Sequence, residues 1–378
     1  MNDVRDWLRQ LHETKGSDLF VTVGAPPCLK INGKIKPIGT EALSNDDVTT
    51  IVHGMMREDQ RAEFRETREC QFAISLEGTA RFRVSAFYQR NSMGIVCRRI
   101  ETQIPTFEEL DLPESLGELA MAKRGIVFLC GATGTGKSTT LAAMVGHRNC
   151  NATGHIISVE DPIEYVHRHR KCLITQREVG IDTNSIEMAL RNTLRQAPDV
   201  ILIGEIRTRE AMDHAITFAE TGHLVLTTLH ANNANQAMDR ILHFFPEDRR
   251  PQVLLDLSFN LKAVIAQQLI PSIDGDRRHV AVEILINSPL VQEKIRKGKI
   301  EDLKKIMKDS RHHGMVTFDQ SLFSMYQQGL ISYEDALRHA DSANDLRLTV
   351  KLSEGADSEA LSGRLKDMNL VEERQQLR

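Results

Sequence analysis

Aromatic residues are scarce in this chain: Phe, Trp and Tyr make up 5% of 378 residues, with one tryptophan. Surfaces that read single-stranded nucleic acid stack bases on aromatic rings, so this supply argues against that class of partner. A basic excess is also missing. Lys and Arg number 48 against 52 Asp and Glu, a net charge of −4, so no global field draws the chain to nucleic acid or anionic lipid. The local cluster Arg168-His169-Arg170-Lys171 has no aromatic platform beside it and reads as a solvated turn. Apolar runs such as 126–130, 200–203 and 224–226 fall far short of the ~20 residues of a membrane span. Polar Asn2 and Asp3 open the chain, which is not the pattern of a secretory leader. Six cysteines, at 28, 70, 97, 130, 150 and 172, include no C-x-x-C pair, which suits reduced thiols rather than a zinc knot or disulfide framework. What remains is a cytoplasmic protein of ordinary composition, 41% hydrophobic and 26% charged, long enough for two or three domains.

Two grammars divide the sequence. In residues 1–100, Val4, Trp7, Leu8 and Leu11 have helical spacing. Short apolar runs follow at 19–23 and 28–31, and Asn32-Gly33 signals a hairpin. Ser44 caps a helix whose stripe is Val48, Ile51, Val52, Met55 and Met56. Three strand-like segments come next, at 71–77, 80–89 and 93–100. In the middle one Phe82, Val84 and Ala86 face one way, and Arg81, Arg83 and Ser85 the other. This is a mainly antiparallel α+β domain. The acidic, two-proline stretch 101–114 reads as a linker. Beyond it, strand-like runs at 125–130, 155–159, 199–203 and 224–229 alternate with helical stretches at 137–147, 185–196, 208–220 and 234–244. That alternation predicts a parallel sheet wrapped by helices, an α/β fold, over 115–289. A helical, charged region follows at 290–350, opening with a helical run at 290–307, and then a polar, weakly patterned tail at 351–378.

The strongest motif is GATGTGKST at 131–139, between the apolar strand GIVFLC and a helix. That context makes it a P-loop rather than a chance string. Gly131, Gly134 and Gly136 let successive N–H groups of Ala132, Thr133 and Thr135 turn inward on phosphate oxygens. The helix start adds its dipole, Lys137 reaches the β/γ-phosphates, and Ser138, followed by Thr139, supplies a hydroxyl to Mg²⁺. The implied cofactors are ATP and Mg²⁺.

Three further strands end in polar chemistry, where ligands of parallel sheets bind. Glu160 follows HIISV, Glu205 follows DVILIG, and Thr227, Thr228 and His230 close HLVLTTLH. ATP hydrolysis needs a carboxylate to orient water, oxygen ligands for Mg²⁺ and cations for the γ-phosphate charge. Glu160 and Glu205 suit the first two tasks. Gly204 stands where the commonest Walker B pattern has an Asp.

GATGTGKST, VEDPIEY (159–165), LRQAPDVILIGEIR (194–207) and AETGHLVLTTLHANNA (219–234) together resemble the Walker A, Asp box, Walker B and His box of the secretion-superfamily ATPases of type II secretion and type IV pili. GSDLFVTVGAPPCLKINGKI (16–35) is similar to the start of that family's PAS-like domain, and RFRVSAFYQ (81–89) to its arginine-bearing strand. The resemblance implies a PAS-like N-terminal domain, a RecA-like P-loop ATPase domain and a helical C-terminal region, assembled as a homohexameric ring. It further implies that Glu160 activates or positions water, Glu205 supports Mg²⁺, His223 and His230 sense the γ-phosphate, and Arg83 and Arg98, with Arg81 beside them, reach a nucleotide from a neighbouring subunit. Without C-x-x-C pairs the chain is similar to the pilus retraction branch. Its LVQEKIRK (290–297) keeps only Ile295-Arg296 of that branch's AIRNLIRE segment, which points to the accessory PilU type rather than PilT. The implied partners are a PilT-type paralogue and the pilus platform protein at the inner face of the inner membrane, with no nucleic acid. Two rivals share the motifs: a RecA-like nucleic-acid motor, which the charge balance opposes, and a regulatory ring subunit with little hydrolysis, which the full set of acidic and histidine residues opposes.

Overall fold

The structure, a computed structural model, describes residues 3–77 and 79–353. It divides into two compact units. One gathers the chain up to Thr106, Ser138–Ile206 and His223–Val225; the other takes Phe107–Lys137, Arg207–Gly222 and the chain from Leu226 onward.

In the first unit, β1 (Asp18–Thr22), β2 (Cys28–Ile31), β3 (Lys34–Pro37), β4 (Glu69–Leu76), β5 (Ala80–Gln89) and β6 (Ser92–Ile100) form one sheet in the order β3-β2-β1-β6-β5-β4. All its pairings are antiparallel. The Asn32-Gly33 turn closes the β2–β3 hairpin, with Ile31 opposite Lys34. Phe82, Val84 and Ala86 of β5 are buried, as their alternation predicts. They share a core with Trp7, Leu8 and Leu11 of the helix Val4–Glu13 and with Val48 and Val52 of the helix Asn45–Met55. Ser44 and Asp47 close a reciprocal capping box on the latter helix. The same unit holds three parallel strands, β8 (Gly154–Glu160), β9 (Cys172–Glu178) and β10 (Val200–Ile203), with β8 paired to both of the others. The stretch after β6 is not free chain. Glu101 forms a parallel bridge with Tyr165, and Val166 N–H donates to the Glu101 carbonyl at 2.9 Å.

In the second unit, β7 (Gly125–Cys130) pairs parallel with β12 (Leu261–Pro271), which pairs antiparallel with β13 (Arg278–Ile286). All six residues of β7 are buried. Around these strands lie the helices Arg209–Glu220, Ala234–His243 and Arg250–Asn260. The expected helical run at 290–307 is two helices, Pro289–Arg296 and Leu303–Asp309. Gly298 adopts φ 69° and Lys299 N–H bonds back to the Lys294 carbonyl, a stop that the charge pattern hid. Residues 343–353 are helical and bury Leu346 and Val350, so regular structure runs into the start of the segment expected as tail. The rest of that segment, 354–378, lies outside the described residues. Strand β11 (Leu224–Leu229) is buried along its whole length. Among the described residues no helix is long and apolar enough to cross a membrane.

Candidate nucleotide site

The chain leaves β7 at Cys130 and turns through Gly131, Gly134 and Gly136 at φ 153°, 81° and 87° before the helix Lys137–Asn151 begins. A Cβ on Gly131 would stand 2.5 Å from Thr135 Oγ1 and 2.8 Å from the Gln267 carbonyl oxygen, so no larger residue fits there. Thr135 Oγ1 donates to the Ala132 carbonyl at 2.9 Å, closing the loop on itself. Lys137 Nζ donates to the carbonyls of Gly131 (2.9 Å) and Ala132 (2.8 Å), which holds the ammonium over the loop. A cradle of glycine-turned peptides with a lysine above it and a helix N-terminus behind it fits a phosphate chain.

Ser138 and Thr139 open that helix, and Thr139 Oγ1 shares a hydrogen bond of 3.0 Å with the Tyr165 hydroxyl. Tyr165 belongs to the segment that follows Glu160, across the cis Asp161–Pro162 bond. Glu160 closes β8. Ser158 Oγ (2.6 Å) and Gln176 Nε2 (3.2 Å) both donate to its Oε1. Burial nevertheless pushes its carboxyl up to about 7, against those two donors and helped by the charges of Glu164 and Glu178. β10 lies in register beside β8, with Ile203 opposite Val159, and Gly204 N–H donates to the Val159 carbonyl at 2.8 Å. Gly204 therefore lies beside Glu160, and Glu205 is the next residue along the chain as it leaves β10. A side chain at 204 would crowd the Asp box, since its Cβ would meet Glu160 Cα at 3.2 Å. Glycine at this departure from the common Walker B pattern spares that tight contact.

Arg83 and Arg98 are directly opposite each other on β5 and β6. Arg98 Nε donates to the buried Asp18 at 2.8 Å. With Arg99 and Glu101, both line a cavity of about 340 Å³ whose other wall is Pro162–Tyr165. Within one chain, then, the N-terminal arginines already face the Asp box. Glu178 is a further acidic group that motif reading passed over. It closes β9 opposite Glu160, is 2% exposed, and is raised by burial against the charges of Arg81 and Arg83. Its signal was available: a strand-like segment, CLITQRE, ending in a carboxylate.

His223 and His230 are not brought together. One precedes β11 and the other follows it, so a strand of roughly 20 Å separates them, and only His230 stands at the carboxyl end. No group of three or more His, Cys, Asp or Glu side chains among the described residues is arranged to hold a metal ion alone. A hydroxyl and carboxylates completed by phosphate oxygens are what Mg²⁺ requires, and Ser138 and Glu205 supply oxygen donors of that kind.

Comparison with known proteins gives consistent results. A family model described as type II/IV secretion system protein matches residues 6–338. A type IV pilus ATPase, PilU of Pseudomonas aeruginosa, is 61% identical over 363 residues, covering 96% of this chain and 95% of its own. PilT of the same organism, a type IV pilus retraction ATPase, is 39% identical over 338 residues, covering 89% of this chain and 98% of its own. Among solved structures, the pilus retraction motor PilT with bound ADP superposes with a TM-score of 0.86 at 38% identity, covering 92% of this chain and 99% of that one.

Proposed function

The chain belongs to the type II/IV secretion system protein family, and on that premise we propose that it is an ATP hydrolase of the pilus retraction branch that drives or assists type IV pilus retraction. The observation that carries this reading is Glu160, a carboxyl buried at the end of β8, fixed by Ser158 and Gln176 and titrating near neutrality. A general base is most effective when its pKa lies near the working pH.

Each residue then has a task. The peptides of Gly131–Gly136 and Lys137 bind the phosphates of ATP, and Ser138 and Glu205 hold the Mg²⁺ that spreads the phosphate charge. Glu160 takes the proton of the attacking water. Arg83 and Arg98 stabilise negative charge gathering on the γ-phosphate, and His230 reports its presence from the end of β11. His223, at the opposite end of that strand, is the second histidine assigned to sensing the γ-phosphate.

The ring of six copies, the PAS-like identity of residues 1–100, the RecA-like core at 115–289 and the helical region at 290–350 are parts of the same proposal. So are partnership with a PilT-type paralogue and with the platform protein at the inner membrane, and a cytoplasmic position. The identity to PilU and the diverged 290–297 segment support an accessory rather than a sole motor.

The experiment is ATP turnover by the purified chain with Mg²⁺, alone and with a PilT-type partner, for wild type and Glu160→Gln. Turnover in either setting that is lost in Glu160→Gln is expected. Absence of turnover in both settings overturns the reading.

A further inference from the structure

Strands β7, β12 and β13 carry one transverse row, Cys130, Ala266 and Glu283. One step further along β12 is Gln267. It is 1% exposed, and its Nε2 donates to the Thr135 carbonyl inside the phosphate loop. Only an amide nitrogen can face a carbonyl oxygen, so the orientation of this side chain is fixed by its partner. The same residue crowds the loop from two directions. Its carbonyl oxygen would lie 2.8 Å from a Cβ on Gly131, and its Nε2 3.1 Å from one on Gly136. Gln267 Oε1 stays buried without a hydrogen-bond partner, an arrangement that folding alone does not favour.

Glu283 makes the second tie. It is 1% exposed on β13, and its Oε1 accepts from Ala234 N–H at 2.8 Å. Ala234 is the first residue of the helix Ala234–His243, which the turn after His230 enters through its cap Asn233. One transverse row joins Cys130, the residue from which β7 enters the phosphate loop, through Ala266 to Glu283. Lys304 and Asp341 face it from the helical region, and Phe318 N–H points to it.

We propose that Gln267 and Glu283 are positioning residues which hold the phosphate loop and the turn after His230 in one frame built on the β12–β13 pair. Gln267 fixes the Thr135 peptide so that the neighbouring N–H groups keep their inward aim. Glu283 fixes the start of the helix that follows His230. Neither touches nucleotide. The inference rests on the reading of Gly131–Ser138 as a nucleotide site.

The test compares wild type, Gln267→Met, Glu283→Gln and Glu283→Leu as full chains, with ADP binding by calorimetry, ATP kinetics, and circular dichroism to verify folding. Loop shape serves ground state and transition state alike. Gln267→Met should therefore raise the ADP Kd and the ATP KM about tenfold while kcat changes less than about threefold. Glu283→Leu should lower kcat about tenfold with the ADP Kd within about threefold, and Glu283→Gln, which keeps the acceptor, should restore it. Wild-type ADP affinity in a folded Gln267→Met overturns the loop role. Equal kcat values in Glu283→Leu and Glu283→Gln overturn the helix role, and that comparison stands even if Gln267→Met does not fold. Failure of wild type to bind ADP would instead remove the nucleotide reading itself.

Discussion

Gly204 lies against Glu160: a Cβ added to Gly204 would stand 3.2 Å from the glutamate Cα and 3.4 Å from the Val159 carbonyl oxygen. A side chain at the end of β10 would therefore press on the Asp box backbone. Gly204→Ala should shift Glu160 by a few tenths of an ångström, cost about 1–3 kcal/mol of stability and slow ATP turnover more than it weakens ADP binding. Thermal unfolding and steady-state kinetics on the same preparation check this. Unchanged values in both would show that the contact yields freely.

Glu160 acts as a base only when ionised, and its carboxyl titrates at about 7. The kcat of wild type should therefore rise with pH through a midpoint near 7. Ser158→Ala removes a donor that holds the carboxyl down, so its midpoint should move to higher pH. A Ser158→Ala profile displaced toward acid would contradict the assignment.

Burial also raises the Glu283 carboxyl, from 4.5 to about 7. A folded-state pKa above the unfolded value means that the native state holds the proton more tightly. The corresponding stability is complete below pH ~4.5 and is lost as pH climbs through about 7, a change of roughly 3 kcal/mol at most. Glu283→Gln cannot titrate. Its unfolding free energy relative to wild type should therefore be higher at pH 8 than at pH 5, as urea titrations at the two pH values would reveal.

The basic turn at 168–171 is solvent-exposed, as expected, and it is also anchored. Asn149 is buried in the helix Lys137–Asn151. Its Nδ2 donates to the Arg168 carbonyl at 2.7 Å, and its Oδ1 accepts from the N–H groups of Arg170 and Cys172 at 3.2 Å. Asn149→Ala strips partners from three backbone groups and should cost about 2–4 kcal/mol, with faster proteolysis at Arg168–Lys171. Asn149→Asp, which keeps the acceptor, should lose less.

What was legible in the sequence was local. The glycines and lysine of the loop, the Ser44 cap and the alternation in β5 each announce their structure within a few residues, because the responsible forces act over one turn or one strand. What was not legible depends on partners far away in the chain. Gln267 meets Thr135 across 132 residues, and nothing near position 267 says that this polar side chain is buried. Strands β12 and β13 give no clean alternation because they are buried on both faces, and β12 moreover carries two glutamines. β9 does alternate, with Cys172 and Ile174 buried and Leu173 exposed, but it turns polar after three apolar positions. The His box shows the converse. Two histidines united by a motif stand at opposite ends of one strand, since seven residues that are close in sequence become distant once extended.

The direct opposition of Arg83 and Arg98 has a thermodynamic reading. Like charges facing across a sheet weaken it; Asp18 pairs with Arg98, and the Glu178 carboxyl feels the charge of Arg83. The N-terminal sheet therefore concentrates cationic charge on that face, and a bound polyanion would stabilise it. Its melting temperature becomes a gauge of anion occupancy, climbing with nucleotide concentration and losing that response when Arg83 is replaced by Gln.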